Sequence, residues 1–137
     1  MYSYRDCLLF NLTKAYQKVD GIFRARFHRF NLTTTQVLVL EVLYGENGLS
    51  AGEIGKRLII DSSTLTGVLD RLAEGEWITK RAAEEDKRLL EIKLTDKAVQ
   101  VKDDLLKEVE DVNRELLSMF KMEEVLLFFR MLQDLRK

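Results

Sequence analysis

The stretch from Ser50 to Leu94 constrains the fold more than any other part of the chain, because it sets two short capped helical patterns directly before two alternating apolar segments. Ser50-Ala51-Gly52-Glu53 is a capping box: the serine hydroxyl can accept from the backbone N–H three residues on, while the glutamate reaches back. It opens a helix whose apolar positions are Ile54, Leu58 and Ile59. Asp61 or Ser62 caps the next helix, which turns Leu65, Val68, Leu69 and Leu72 inward and stops near Gly75. The tight Leu58-Ile59-Ile60-Asp61 connection makes the pair a helix-turn-helix. Trp77 to Ala82 then reads as one strand and Leu90, Ile92 and Leu94 as its hairpin partner, with a charged tip from Ala83 to Arg88.

The flanks are helical. Leu8, Leu9, Leu12, Tyr16, Val19, Phe23, Phe27 and Phe30 recur every three or four residues and predict a first helix from about Tyr4 to Phe30. Thr33-Thr34-Thr35-Gln36 is another capping box, followed by Val37 to Tyr44, apolar everywhere but Glu41 and so covered on nearly all sides. Thr95 caps a long helix with near-heptad apolar spacing, and a last helix from about Met122 to Arg136 carries a broad apolar face. The expected class is mainly α with a small β-hairpin wing: a winged helix-turn-helix flanked by N- and C-terminal dimerisation helices. The 137 residues form one domain, in which 4–30 and 96–136 dimerise and 33–94 form the lobe between them. The flanking helices offer more apolar surface than that lobe can cover, which implies a homodimer with two-fold symmetry.

Composition removes several classes of function. No apolar run reaches the roughly 18 residues of a membrane span, and the N-terminus lacks the basic start and cleavage site of a signal peptide, so a cytoplasmic protein without membrane association is expected. One cysteine and one histidine make no structural metal site. No glycine-rich phosphate loop or nucleophile and base pairing is present, so neither an enzyme nor a cofactor is expected.

Net charge is −1, yet the charges are segregated. Residues 14–31 hold five bases against one acid, and residues 96–124 hold nine acids against five bases, a division that suits one DNA-facing and one solvated side. The segment 53–93 carries eight bases and nine acids, so any affinity for DNA rests on a few placed cations.

The order of elements, with DSSTLTGVLDRL at 61–72 and EEDKRLLEIKLT at 84–95, resembles the MarR family of bacterial transcription regulators. The resemblance implies that the helix from Ser62 enters the major groove of double-stranded DNA at a palindromic operator. Ser62, Ser63, Thr64 and Thr66 are then candidates for base or phosphate contact, since hydroxyls donate and accept, although Ser62 and Ser63 also suit capping. Arg71 is placed for a phosphate, with an ion pair to Asp70 or Glu74 as the competing reading. Arg88, flanked by Lys87, would enter the minor groove, where narrow A/T-rich stretches attract a guanidinium. Asp86 would orient an arginine, Arg81 or Arg88.

The resemblance also implies release from DNA by a small aromatic or phenolic effector. The pocket would draw on Tyr16, Phe23, Phe27, Leu43 and Tyr44, with Arg24 and His28, four apart on one helix face, holding a carboxylate or phenolate. The same aromatic spacing also suits plain core packing. Cys7 raises redox sensing as an alternative, because a helix N-terminus favours thiolate. A winged-helix protein-interaction module without DNA binding is the reading from another class, and the non-basic lobe is its support.

Overall fold

The computed structural model describes residue 1 and residues 3–137. A short 3-10 turn at Tyr4–Asp6 leads into α1 (Leu8–Phe27), and a second 3-10 turn, His28–Phe30, ends at Asn31 in the left-handed region with φ 57°. The single helix expected from Tyr4 to Phe30 is therefore trimmed at both ends. Cys7 sits in extended backbone at the N-cap, and the tighter turn after Phe27 aims the chain at α2 (Thr34–Gly45).

Helix α2 is the axle of the lobe. Thr33 Oγ1 accepts from Gln36 N at 3.2 Å and Gln36 Oε1 accepts from Thr33 N at 2.9 Å, so the capping box forms as its spacing demands. Val37, Val39, Leu40 and Leu43 are buried around its circumference, which is why its sequence is apolar nearly all round. Next come α3 (Ala51–Leu58), α4 (Ser62–Glu74), β2 (Ile78–Ala82), β3 (Leu90–Leu94), α5 (Asp96–Leu117) and α6 (Met122–Asp134).

The sheet has one more strand than expected. Leu49–Ser50 forms β1, pairing Leu49 with Ile92 antiparallel, so the order is β1-β3-β2. Ser50 serves twice, as a strand residue and as the N-cap of α3, where its Oγ accepts from Glu53 N at 3.2 Å. This third strand anchors the base of the hairpin to the core, with Ile78 and Ile92 almost wholly buried.

The turn between α3 and α4 depends on Gly55. A methyl group there would meet Ile60 O at 3.2 Å and Leu65 Cδ2 at 3.3 Å, so only a bare backbone lets the two helices approach this closely. Thr95 ties the end of the sheet to α5: its hydroxyl donates to Glu76 O at 2.6 Å and accepts from Ala98 N at 3.3 Å. Lys97 completes the junction, donating to Gly75 O at 2.8 Å with its ammonium 4.3 Å from the centre of the Trp77 ring.

Helices α1 and α5 lie side by side, joined by ion pairs from Arg26 to Glu108 and Glu115 and from Arg29 to Glu108. This corrects the reading of the basic 14–31 segment as a DNA-facing side. Arg26 and Arg29 face the acidic helix α5, Arg24 pairs with Asp20 at 2.9 Å, and the segregated charges bind two helices to each other. Helix α6 contributes no buried residue.

Candidate nucleic-acid interface

The N-terminus of α4 is built around one carboxylate. Asp61 accepts from Thr64 N at 2.8 Å, from Ser63 Oγ at 2.7 Å and from Thr64 Oγ1 at 2.8 Å, and these bonds, the backbone one foremost, hold its pKa down to about 2. Of the two caps offered by the sequence, Asp61 is therefore the one used. Ser63 and Thr64 have committed their hydroxyl protons to it, and Thr66 donates to Ser62 O at 2.8 Å. Each of these three can still accept from a base amino group, whereas the Ser62 hydroxyl stays free to donate as well. All four side chains are exposed.

On the wing, Asp86 holds Arg88 and not Arg81. Arg88 N and Nε both donate to Asp86 Oδ1 at 3.1 Å, and Nη2 donates to Oδ2 at 3.3 Å. The pairing with the Arg88 guanidinium depresses the Asp86 pKa. The Arg88 side chain is nevertheless 91% exposed, a cation held out from the tip with its direction restrained. Arg81 lies on β2 opposite Glu91.

Several lobe cations are spoken for: Lys80 pairs with Asp70, Arg57 with Glu46 and Lys93 with Glu91. Among the described residues, Arg71, Lys87, Arg81 and Lys56 form no ion pair. The competing reading of Arg71 is thus not what the structure adopts, since Asp70 turns to Lys80 and leaves Arg71 exposed. Lys56, Ser62 and Thr66 surround one recess between α3 and α4.

A cavity of about 350 Å³ opens between α1, α2 and α5, walled by Tyr16, Phe23, Phe27, Val37 and Val109 with Glu41 among them. Three of the expected pocket residues line it and four do not. Leu43 is buried in the core, Tyr44 donates its hydroxyl to Ala98 O at 2.6 Å, and Arg24 on α1 and His28 in the turn after it are exposed. The Tyr44 phenol is pushed up to about 12 by burial, so it is no anion under ordinary conditions. Cys7 lies half-buried before α1.

Residues 32–90, which span the lobe from before α2 to the start of β3, match the MarR family. The transcriptional regulator MhqR of Bacillus subtilis is 26% identical over 122 residues, covering 89% of this chain and 84% of that one. Over this lobe the chain is similar to the MarR family. Bordetella bronchiseptica BpsR, whose DNA binding is regulated by 6-hydroxynicotinic acid, superposes with a TM-score of 0.92 over 100% of this chain and 98% of its own at 21% identity, a likeness of fold. Reduced AbfR bound to DNA gives 0.78 at 26% identity, covering 97% of this chain and 92% of that one.

MarR proteins are transcription regulators that bind DNA through a winged helix-turn-helix, and the family is not one of enzymes. On this MarR fold, sequence reasoning missed Lys56 and Glu41. Lys56 lies on the short amphipathic α3, outside the helix that the resemblance points to, and its spacing there is legible in the sequence. Glu41 is the one polar residue in an apolar run and lies four residues from Val37, hence on the same helix face.

Proposed function

We propose that the protein is a cytoplasmic homodimer that binds a palindromic operator, represses transcription there, and leaves when a small molecule occupies the cavity between α1, α2 and α5. Helix α4 lies in the major groove, with Ser62, Ser63, Thr64 and Thr66 toward the bases and Arg71 toward phosphate. Arg88 reaches the minor groove beside Lys87, while Asp86 aims it. The observation that carries this reading is the exposed, carboxylate-restrained guanidinium of Arg88 on a wing that accompanies the exposed, capped start of α4. A cation fixed in direction and still free toward solvent suits insertion into a narrow groove.

The homodimer is supported by what the single chain leaves uncovered. Leu8, Leu9 and Tyr16 on α1, and Leu126, Phe128 and Phe129 on α6, are exposed, and a 13-residue helix with no buried residue is marginal alone. A second copy covering these faces would place residues 4–30 and 96–136 at the interface and leave the lobe 33–94 to the DNA. Two α4 helices would then lie about one DNA turn apart, as a palindrome requires.

Footprinting on the upstream region of the protein's own reading frame tests the proposal. Protection of one palindromic site, lost on Arg88→Ala, is the expected outcome. Protection of such a site removes the reading of the protein as an interaction module without DNA binding.

A second reading, control by oxidation at Cys7, draws on the thiol's position at the N-cap of α1. Peroxide-induced release that survives Cys7→Ser removes it.

A further inference from the structure

The cavity between α1, α2 and α5 has the wrong electrostatics for a carboxylate. Its lining includes two acids, Asp20 and Glu41, and neither lysine, arginine nor histidine. Arg24, the cation paired with Asp20, is 67% exposed and donates to Asp20 Oδ2 at 2.9 Å from outside the lining. The other Asp20 oxygen accepts from Thr34 Oγ1 at 3.2 Å, so that carboxylate is satisfied.

Glu41 is not. It is half-buried against apolar walls, and among the described residues it forms no hydrogen bond and no ion pair. Burial alone holds its pKa above the ordinary glutamate value. Across the cavity stand Phe23 and Phe27, ring centres 5.5 Å apart, with Tyr16 near the rim. Aromatic faces carry negative charge and attract cations. An anion entering here would lose its hydration and gain no positive partner, which is costly. A cation would gain both a carboxylate and aromatic faces.

We propose that this cavity binds a hydrophobic organic cation, a ring-bearing amine or amidine whose N–H groups meet Glu41 while its hydrocarbon lies against Phe23 and Phe27, and that it discriminates against aromatic carboxylates. The volume of about 350 Å³ suits one or two fused rings. This deepens the ligand response proposed above and rests on it, but its test does not.

Three probes with one ring system and different heads separate the possibilities: naphthylmethylammonium, naphthylmethanol and naphthoate, titrated calorimetrically into the full chain and into Glu41→Gln. The ammonium should bind at least about tenfold tighter than either of the others, as a charge-assisted hydrogen bond implies. Glu41→Gln should remove most of that preference and leave the affinity of the neutral alcohol within about twofold. Naphthoate binding as tightly as the ammonium overturns the inference, as does an undiminished preference in Glu41→Gln or the failure of all three probes to bind. A parallel gel shift keeps the two readings apart. Selective binding of the ammonium without release of operator DNA sinks the ligand response and leaves the cavity's selectivity standing.

Discussion

Arg88 and Asp86 form a closed two-residue clamp at the wing tip, with Nε on Oδ1 at 3.1 Å and Nη2 on Oδ2 at 3.3 Å. An ion pair this exposed adds little to stability. Its consequence is orientation: the guanidinium leaves the tip in one direction and loses less side-chain entropy on entering a groove. Arg88→Ala should therefore weaken operator binding about tenfold or more in a gel-shift titration, with an unchanged melting temperature. Asp86→Asn keeps the cation and loosens it, so its loss should be about threefold. Equal losses for the two variants would mean that Asp86 itself touches DNA.

Asp61 organises the start of α4 through three hydrogen bonds, and removing it should act on stability and contact together. Asp61→Ala should lower the melting temperature by about 3 °C at pH 7, the usual scale for a lost cap. A carboxylate whose folded pKa is depressed contributes its stabilisation above the unfolded value and loses it as pH falls toward the folded one, here about 2. The gap between parent and variant should thus be full at neutral pH and close from about pH 4 downward. Asp61→Asn, itself a good cap, should show little gap at any pH.

Ile59 caps the C-terminus of α3 at φ 55° and is 71% exposed. A β-branched residue pays in steric energy for the left-handed region, and this one recovers little by burial. Ile59→Gly should raise the unfolding free energy by about 0.5–1 kcal/mol in a urea titration. A loss instead would place the isoleucine side chain in a contact that only the bound or dimeric state makes.

The devices with short range were legible in the sequence. Thr33 with Gln36, and Ser50 with Glu53, act across three residues, so their spacing alone specifies them. Strand β1 was not legible: it is two residues long, has no alternation to read, and exists only because Ile92, far along the chain, lies opposite Leu49. The bases of α1 look like a DNA-facing stripe until α5 is packed against them, since Arg26 meets Glu108 across 82 positions. In the cavity, the apolar run of α2 offers Leu43 and Tyr44 as readily as Val37. The helix instead turns Val37, Leu38 and Glu41 toward α1, so rotation about α2 decides the lining more than residue type does.

Glu41 should make the protein less stable as pH rises. A carboxyl whose folded pKa lies above its unfolded value of 4.5 binds more protons when folded, so stability is highest below that value and declines above it. Glu41→Gln should melt higher than the parent at pH 7 and at the same temperature near pH 4. A constant difference at both values would assign the effect to shape and not to charge.

The exposed face of α6 sets the last expectation. Phe128 and Phe129 are each 47% exposed, and they line a groove of about 330 Å³ with Leu12 of α1 and Leu116 of α5. In a lone chain a charge at Phe128 remains hydrated and should leave helical content unchanged. In a homodimer that seats a second copy on this groove, the same charge is buried without a partner, at a cost that raises the dimer dissociation constant about a hundredfold or more. Phe128→Glu should therefore sediment as a monomer at concentrations where the parent is dimeric. Its affinity for the full palindrome should fall to that for a half-site, because the second α4 is no longer carried along with the first. A variant that stays dimeric and still distinguishes palindrome from half-site would move the interface to the exposed α1 residues Leu8 and Leu9, where glutamate substitutions repeat the test.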